Sequence, residues 1–390
     1  MRRPMLLVTG LLTGLALLTG CDSTVGTQQH LGDTVRLGVN VEQSGDLASY
    51  GDSMTKGIQV AVDQANSSGG VRGRQIQLIT MDNQGNSGKA VATATTLMSQ
   101  QRALSVIGPV SDGLFALTLP VADHQQIPVI SGSACDANRL NDENGKVYQF
   151  GFRTCLGLDQ QGAAMATFAH SNLAASTAAV FRTADTGFAN EFADAFTDAF
   201  TADGGTVGVQ DAFPAGETDY SRFVDIMRSS PTDVVYVAAQ APEAASLIRT
   251  LREAGIDNPI LASGDMNAPA ASEIAGPDAL NRVYFVSQFS ALDTDNAVAQ
   301  NFLNAYRQAY GADPDTHAAM AYDAILLAIY GIDRADELTG INVQRALATA
   351  RNIDGAGGKF SIGQGHQVVK DALVVELADG APVSVTHVAP

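Results

Sequence analysis

The chain has 390 residues, with 41 Asp and Glu against 23 Lys and Arg and a formal net charge of −18. A hydrophobic content of 45% is that of a globular protein and excludes wholesale disorder. The acidic excess argues against a nucleic-acid partner, because phosphate binding requires a basic surface. The length predicts two domains, since single hydrophobic cores stop growing at roughly 250–300 residues.

The N-terminal end has the pattern of an export signal. Arg2 and Arg3 precede a short apolar stretch at 5–18, and small residues lead to Cys21. A basic start, a short apolar run and a small-residue cleavage site are typical of a secretory signal peptide. The closing Leu-Thr-Gly-Cys resembles a bacterial lipobox, in which Cys21 is lipidated and becomes the first mature residue. The alternative is a plain signal peptide that is cut elsewhere.

This end therefore predicts a signal peptide over 1–20 and a lipidated tether over 21–33, which is polar and lacks periodicity. No later stretch has the roughly eighteen apolar residues of a membrane helix. Lipid on one cysteine holds a soluble domain at a membrane surface. We expect an extracytoplasmic protein that is anchored to the cell membrane through Cys21.

From residue 34 onward, β-branched runs alternate with helical patterns. Strands are predicted at 35–39, 75–81, 103–108 and 128–131, with helices at 52–66, 87–100 and from 111. The pattern restarts after Cys155, with helices at 159–170, 188–202, 220–228 and 243–254 and strands at 177–181, 207–213, 233–239, 259–263 and 282–288. Helices at 297–310, 317–334 and 343–351 precede strands at 358–362, 372–378 and 381–388. This order predicts an α/β fold of two doubly wound parallel sheets that face a cleft.

Catalytic signatures are missing from the sequence. There is no dinucleotide-binding or P-loop glycine motif, no G-x-S-x-G, no H-E-x-x-H and no C-x-x-C. The six histidines are scattered, without metal-ligand spacing. We expect neither an enzyme nor a metal or cofactor site, although triads can assemble from distant positions.

Several segments together resemble the type I periplasmic binding proteins of the branched-chain amino-acid uptake family, the substrate-binding subunits of ABC importers. The resemblance runs over almost all of 34–380. It begins with SGDLASYGDSMTKGIQVAVDQANSSGGVRGRQIQL at 44–78, which contains the family's A-x-Y-G. It continues with VIGPVSDGLFALTLPVADHQQIPVIS at 106–131, FRTCLGLDQQGAA at 152–164 and LASGD at 261–265. Each motif alone is weak, and their order and spacing carry the resemblance.

The resemblance implies two lobes that are joined by three crossovers and close on a small ligand. By analogy, lobe 1 is 34–154 with 286–362, and lobe 2 is 155–285 with 363–390. The chain would capture an amino acid or a small amide-like compound and deliver it to the membrane permease. A rival hypothesis is a surface sensor or regulatory lipoprotein of the same fold that acts on a protein partner, and an exported enzyme is a third.

The family's site transfers to this sequence residue by residue. Tyr50 matches the tyrosine of A-x-Y-G, and Asp265 matches the acidic residue that pairs with the ligand ammonium. Ser133 and Ala134 lie in the loop that offers backbone and hydroxyl groups to a carboxylate. Thr186 and Gln240 occupy positions that are often aromatic in the family. Asp265 is alternatively the cap of a helix at 266–274, since Asp favours such positions.

The sequence departs from the family in GPVSDG. The family often has a hydroxyl, which grips the ligand carboxylate, where this chain has Asp112. A carboxylate at that position would repel a ligand carboxylate at ~4 Å by roughly 1–4 kcal/mol. Either Ser111 supplies the hydroxyl and Asp112 caps the helix, or Asp112 and Asp265 together favour a cationic or amide-rich ligand.

With Cys21 lipidated, Cys135 and Cys155 remain in an exported protein, where disulfides persist. We expect them to form a disulfide that closes a loop of about 20 residues. The alternative is two buried thiols. Cys135 also sits where the family sometimes has a ligand-contacting Thr.

Overall fold

The computed structural model describes residues 34–390, so the predicted signal peptide, Cys21 and the tether lie outside the described part of the chain. The strands are β1 (Thr34–Val41), β2 (Gln75–Asp82), β3 (Ser105–Ile107), β4 (Val129–Ser131), β5 (Gly151–Arg153), β6 (Thr177–Thr183), β7 (Thr206–Phe213), β8 (Val234–Ala238), β9 (Ile260–Ala262), β10 (Val283–Ser287), β11 (Ile353–Gly355), β12 (Gly358–Ile362), β13 (Val368–Lys370), β14 (Ala372–Ala378) and β15 (Ala381–Val388). The helices are α1 (Ala48–Ser67), α2 (Ser87–Ser99), α3 (Asp112–Gln125), α4 (Leu158–Leu173), α5 (Gly187–Ala202), α6 (Ser221–Ser229), α7 (Ala241–Glu253), α8 (Pro269–Ala275), α9 (Ala297–Tyr310), α10 (Thr316–Arg334) and α11 (Gly340–Ala348).

The first sheet is parallel throughout, in the order β2-β1-β3-β4-β5. Helices cover both of its faces, so successive residues of a strand enter different cores. In β3, Val106 packs with α2 and α3, while its neighbour Ile107 packs with α1 and α10. We call β1–β5 with α1–α3 and α9–α11 the first lobe.

The second sheet is mixed, in the order β15-β14-β10-β9-β8-β6-β7. Strands β6 to β10 are parallel, and β14 and β15 continue the sheet as antiparallel strands. All five residues of β8 are buried, because α4 and α5 cover one face and α6 to α8 the other. We call β6–β10, β14 and β15 with α4–α8 the second lobe. The prediction of parallel-sheet lobes is confirmed, with the correction that two antiparallel strands extend this sheet.

The chain passes between the lobes three times, after β5, after β10 and after β13. A small antiparallel sheet, β11-β12-β13, lies beside α10 before the last passage. A buried carboxylate anchors it: Asp323 of α10 accepts hydrogen bonds from the backbone N–H groups of Ala356 (2.6 Å) and Gly357 (3.0 Å). The buried Lys370 lies next to the same glycine. A Cβ built on Gly357 would lie 3.1 Å from Asp323 Oδ2 and 3.1 Å from Lys370 Nζ, so the two charged groups are neighbours.

Within residues 34–390, no helix is both long enough and apolar enough to cross a membrane. The predicted helices and long strands are present, with shifts of a few residues at their ends. The largest shift near the site is in α1, which begins at Ala48 rather than at residue 52. Tyr50 therefore lies inside the helix, in its first turn.

Candidate functional site

A cavity of about 880 Å³ lies between the two lobes. From the second lobe it is lined by Gln240, which follows β8, Asp265, which follows β9, and Ser287 at the end of β10. From the first lobe, Tyr50 and the start of α10 line it. This is the edge where the carboxyl ends of parallel strands meet and where ligands bind in such folds. The structure thus brings three of the predicted site residues together: Tyr50, Gln240 and Asp265.

Tyr50 forms the wall of the first lobe together with His317, a residue that the sequence analysis missed. Their ring centroids are 4.6 Å apart, and Tyr50 keeps 43% of its surface exposed. Burial lowers the pKa of His317, and the negative charges of Asp315 and Asp265 partly oppose that effect. His317 is the second residue of α10 and directly precedes Ala318, which is completely buried inside the lobe.

Asp265 faces the cavity from the second lobe and does not cap a helix. Helix α8 begins at Pro269 with Ala268 at its N-cap, so the helix predicted at 266–274 starts three residues later and the predicted capping role of Asp265 is wrong. Asp265 Oδ1 instead accepts a hydrogen bond from the backbone N–H of Asn267 (3.0 Å). Its side chain is open to the cavity, but the surrounding protein removes enough water to raise its pKa. The carboxylate is thus held in place while one oxygen remains available.

Gln240 lines the cavity, whereas Thr186 does not. Gln240 is exposed in the cavity at the start of α7 and makes no side-chain capping bond. Thr186 is the N-cap of α5, where its Oγ1 accepts a hydrogen bond from the N–H of Ala189 (3.3 Å), and it does not line the cavity. Only Gln240 therefore offers its side chain to a ligand in this arrangement.

Ser111 and Asp112 also lie outside the lining of the cavity, at the start of α3. Ser111 is the N-cap: its Oγ accepts a hydrogen bond from the N–H of Leu114 (3.3 Å). Asp112 Oδ1 accepts one from the N–H of Asp136 (2.8 Å), and burial raises the pKa of Asp112. The cap of α3 is therefore Ser111 rather than Asp112, the cap that the first alternative predicted, whereas a role of the Ser111 hydroxyl as a donor to the ligand stays a prediction.

Glu42 is a second site-region residue that the sequence analysis missed. It is fully buried directly after β1, and its two carboxylate oxygens accept hydrogen bonds from the N–H groups of Val110 (3.0 Å) and Ser111 (3.2 Å). A helix N-terminus favours negative charge, and here a side chain of the same protein supplies it. A carboxylate directly after a buried strand was the signal in the sequence.

The loop after β4 holds Ser133 and Ala134. The hydroxyl of Ser131 accepts hydrogen bonds from the N–H groups of Ser133 (3.3 Å) and Ala134 (3.0 Å). The hydroxyl of Ser133 donates to the carbonyl oxygen of Val110 (2.6 Å) and also contacts Met54, one turn after Tyr50 in α1. The loop is therefore next to the Tyr50 wall, but its predicted carboxylate-binding donors are engaged within the chain.

The buried Arg153 holds this loop through a hydrogen bond to its backbone. Arg153 donates hydrogen bonds to the carbonyl oxygen of Cys135 and to Gln367 Oε1, while its Nε has no partner among the described residues. Acidic residues surround it, and one of them, Glu191 of α5, has a pKa raised to about 7. Burial is the main cause, and repulsion from Asp136 and Asp159 adds to it. This cluster joins the two lobes near the end of β5.

Cys135 and Cys155 lie at the two ends of this region, with Cα atoms 5.1 Å apart and sulfur atoms within bonding distance. That spacing is typical of disulfides. In the described part of the chain, residues 34–390, no group of three or more His, Cys, Asp or Glu side chains could hold a metal ion.

The family model for periplasmic binding proteins matches residues 34–382. The chain belongs to the periplasmic binding protein family. One relative is the Leu/Ile/Val-binding protein BraC3 of Rhizobium johnstonii, 27% identical over 342 residues that cover 82% of this chain and 85% of the relative. Family membership implies an extracytoplasmic solute-binding protein and not an enzyme.

Solved structures agree with this assignment. The branched-chain amino-acid transporter substrate-binding protein LivJ from Streptococcus pneumoniae, in complex with isoleucine, is 28% identical with a TM-score of 0.76, covering 92% of this chain and 100% of that one. The leucine-binding protein LivK from Thermotoga maritima is 26% identical with a TM-score of 0.74, covering 91% and 99%. The predicted resemblance to the type I branched-chain amino-acid members is therefore confirmed, and these relatives indicate a substrate-binding protein of ABC transport.

Proposed function

We propose that this protein is the lipid-anchored substrate-binding subunit of an ABC importer, which captures an amino acid or a small amide-like ligand and delivers it to the permease. The cavity between the lobes carries the proposal: side chains from the ends of three strands of the second lobe face Tyr50 and His317 of the first lobe across it. Closure of two lobes around a ligand is a known hinge motion of such proteins. We propose that the moving bodies are 34–154 with 286–362 and 155–285 with 363–390.

Ligand binding is tested by thermal unfolding of the full chain in mild detergent against neutral amino acids, basic amino acids, amines, amides and small aromatic acids. A ligand at 100 times its dissociation constant adds about 2.7 kcal/mol to the free energy of unfolding and raises the melting temperature. A shift with any one class supports solute capture. No shift across all classes would contradict it.

Anchoring is tested by fractionating cells that express the full chain or its Cys21→Ser variant. If Cys21 carries lipid, the full chain is found with the membranes. The Cys21→Ser variant then moves to the soluble extracytoplasmic fraction or remains uncleaved. An unchanged distribution would contradict the lipid anchor without affecting ligand binding.

An uptake assay distinguishes delivery to a permease from sensing. A strain without this chain is given a labelled ligand identified by thermal unfolding. Loss of uptake that the wild-type chain restores supports transport. Unchanged uptake would contradict it and favour the sensor hypothesis.

A further inference from the structure

A group of charged side chains lies between the two lobes where the chain first crosses from one to the other. The first lobe contributes Asp112, Asp136 and Arg153, and the second lobe contributes Asp159 of α4 and Glu191 of α5. We call these five residues the interlobe cluster. It lies outside the lining of the 880 Å³ cavity, so the ligand contacts discussed above do not account for it.

Helix packing in the second lobe places Glu191 beside Asp159. Helices α4 and α5 approach closely at Gly162, where an added Cβ would lie 2.7 Å from the carbonyl oxygen of Phe192 and 2.9 Å from Ala195 Cβ. Asp159 lies one turn before Gly162, and Glu191 directly precedes Phe192. The two carboxylates are therefore held on neighbouring turns of two packed helices and repel each other when both are ionised.

The first lobe adds more negative charge than positive charge to this cluster. Asp112 Oδ1 accepts a hydrogen bond from the N–H of Asp136 (2.8 Å), so the two residues are adjacent. Arg139 pairs with Asp136 (Nε to Oδ2, 2.8 Å), and Arg153 already donates to two oxygen atoms of other residues. Within residues 34–390, Glu191 makes neither a side-chain hydrogen bond nor an ion pair. The four carboxylates of the cluster thus face one cation of their own, Arg153.

The other charged side chains around α5 are paired or distant. The elements that pack against this helix are α4, β6, β7 and β8. Arg182 of β6 pairs with Asp194 of α5 (3.3 Å), and Asp211 of β7 pairs with an arginine of α6 (3.4 Å). His170 lies in the last turn of α4, and β8 carries no charged residue. None of these groups supplies a partner for Glu191.

Closure of the lobes acts directly on this cluster. Helices α3 and α5 begin after the carboxyl ends of β3 and β6, and these edges of the two sheets face each other across the cleft. Closure therefore brings Glu191, near the start of α5, towards Asp112 and Asp136 of the first lobe. Burial, together with repulsion from Asp136 and Asp159, already raises the pKa of Glu191 to about 7.

We infer that Glu191 is a pH-sensitive switch of lobe closure: its ionisation opposes the closed state through repulsion from Asp112 and Asp136, and its protonation permits closure. The inference rests on the hinge motion of the proposed function and adds a regulation to it. Because the closed state holds the proton of Glu191 more tightly than the open state does, a rise in pH through about 7 shifts the population towards the open state. A captured solute is then held less tightly in alkaline surroundings than in acidic ones.

The test measures the distance between the lobes of the full chain, in mild detergent and without added solute, at pH 6 and at pH 8. Leu117 of α3 and Thr218, which follows β7, are exposed on the two lobes. Each is replaced by a ketone-bearing residue that carries a spin label, so that native cysteines are not labelled. Pulsed electron spin resonance then gives the populations of open and closed molecules. The ratio of open to closed molecules is expected to rise about fivefold from pH 6 to pH 8, at the lower end of typical coupling between two sites.

Variants on both lobes assign the effect to the cluster. Glu191→Gln cannot ionise, so its ratio at pH 8 should stay at the value of pH 6. Asp136→Asn removes the opposing charge from the first lobe and should reduce the rise, which tests the same repulsion without changing Glu191. Asp198→Asn, an exposed carboxylate two turns later in α5, is the matched control and should respond to pH like the wild type.

An unchanged ratio in the wild type, or an equal rise in Glu191→Gln, would overturn the switch. If solutes still raise the melting temperature in that case, the proposed function stands without it. A pH-dependent ratio that Glu191→Gln abolishes would support the switch even where no solute of the panel binds.

Discussion

The carboxylate of Glu42 accepts a hydrogen bond from the backbone N–H of Ser111, 3.2 Å away, at the start of helix α3. The same carboxylate accepts a second one from Val110 (3.0 Å), and the side chain is completely buried. An internal anion thus satisfies two N–H groups at the N-terminus of α3. The arrangement stabilises the fold, since a helix N-terminus favours negative charge.

We predict that Glu42→Ala lowers the free energy of unfolding by about 2–4 kcal/mol, because it leaves two buried N–H groups without an acceptor. Chemical denaturation measures the change. Asp46→Ala, an exposed carboxylate in the following loop, is the control and should change stability by less than about 0.5 kcal/mol. Acetate should restore part of the loss in Glu42→Ala, since it can occupy the space left by the side chain. Equal stability of the two variants would contradict this role of Glu42.

The sequence predicted those parts of the fold that depend on local pattern. Strands β14 and β15 have the predicted bounds, because alternating residues flank Asp379 and Gly380, whose positive φ angles of 49° and 74° suit a hairpin turn. The three-residue strands β11 and β13 were missed, since so short a segment shows no periodicity. The start of α1 was placed too late because its N-cap, Leu47, makes no side-chain capping bond.

The site was predicted only where the chain resembles its family. Tyr50, Gln240 and Asp265 reach the cavity because their positions follow directly from strand ends and helix starts. Glu42 and His317 were missed, because their roles depend on partners far away in sequence: Glu42 meets residues 68 and 69 positions later. The hydrogen bonds that engage Ser133 and Ala134 are likewise tertiary. Local pattern therefore predicted where the cleft lies, but not the hydrogen bonds and ring contacts that join residues far apart in sequence near it.

The pKa of Glu191, raised to about 7 against a usual 4.5, makes stability depend on pH. The folded state holds the proton more tightly than the unfolded state, so the stabilisation from Glu191 is complete below about pH 4.5 and is lost as the pH rises through 7. We predict that Glu191→Gln raises the free energy of unfolding at pH 8 by about 1 kcal/mol, after allowance for solvent screening of a partly exposed group. The variant should have little effect at pH 4.5.

Melting temperatures of wild type and Glu191→Gln at both pH values measure this difference. Asp198→Asn, an exposed carboxylate of the same helix, is the control and should show no pH-dependent gain. A Glu191→Gln variant that is less stable than the wild type at pH 8 would show that the charged carboxylate is favourable there, contrary to the prediction.

Asp323 and Lys370 form the buried polar centre beside the small sheet. Burial raises the pKa of Asp323 and lowers that of Lys370, while each charge partly offsets the effect on the other. We predict that Asp323→Ala destabilises the protein by about 3–5 kcal/mol, because it leaves a buried cation and two N–H groups without an acceptor. The double variant with Lys370→Met should recover part of the loss, since it also removes the buried charge. A double variant whose loss equals the sum of the two single losses would show that the residues do not interact.

The pairing of Cys135 with Cys155 connects the loop that follows β4 to the end of β5, beside Arg153 and Ser133. We predict that the exported protein carries this disulfide and that Cys135→Ser/Cys155→Ser lowers the free energy of unfolding by about 3 kcal/mol, the chain-entropy value for a loop of about 20 residues. Alkylation under denaturing conditions should label neither cysteine until a reductant is added, and mass spectrometry detects the difference. A reductant should lower the melting temperature of the wild type but not that of the double variant. Labelling of both residues in the non-reduced exported protein would show that they are thiols and that the loop is held by hydrogen bonds alone.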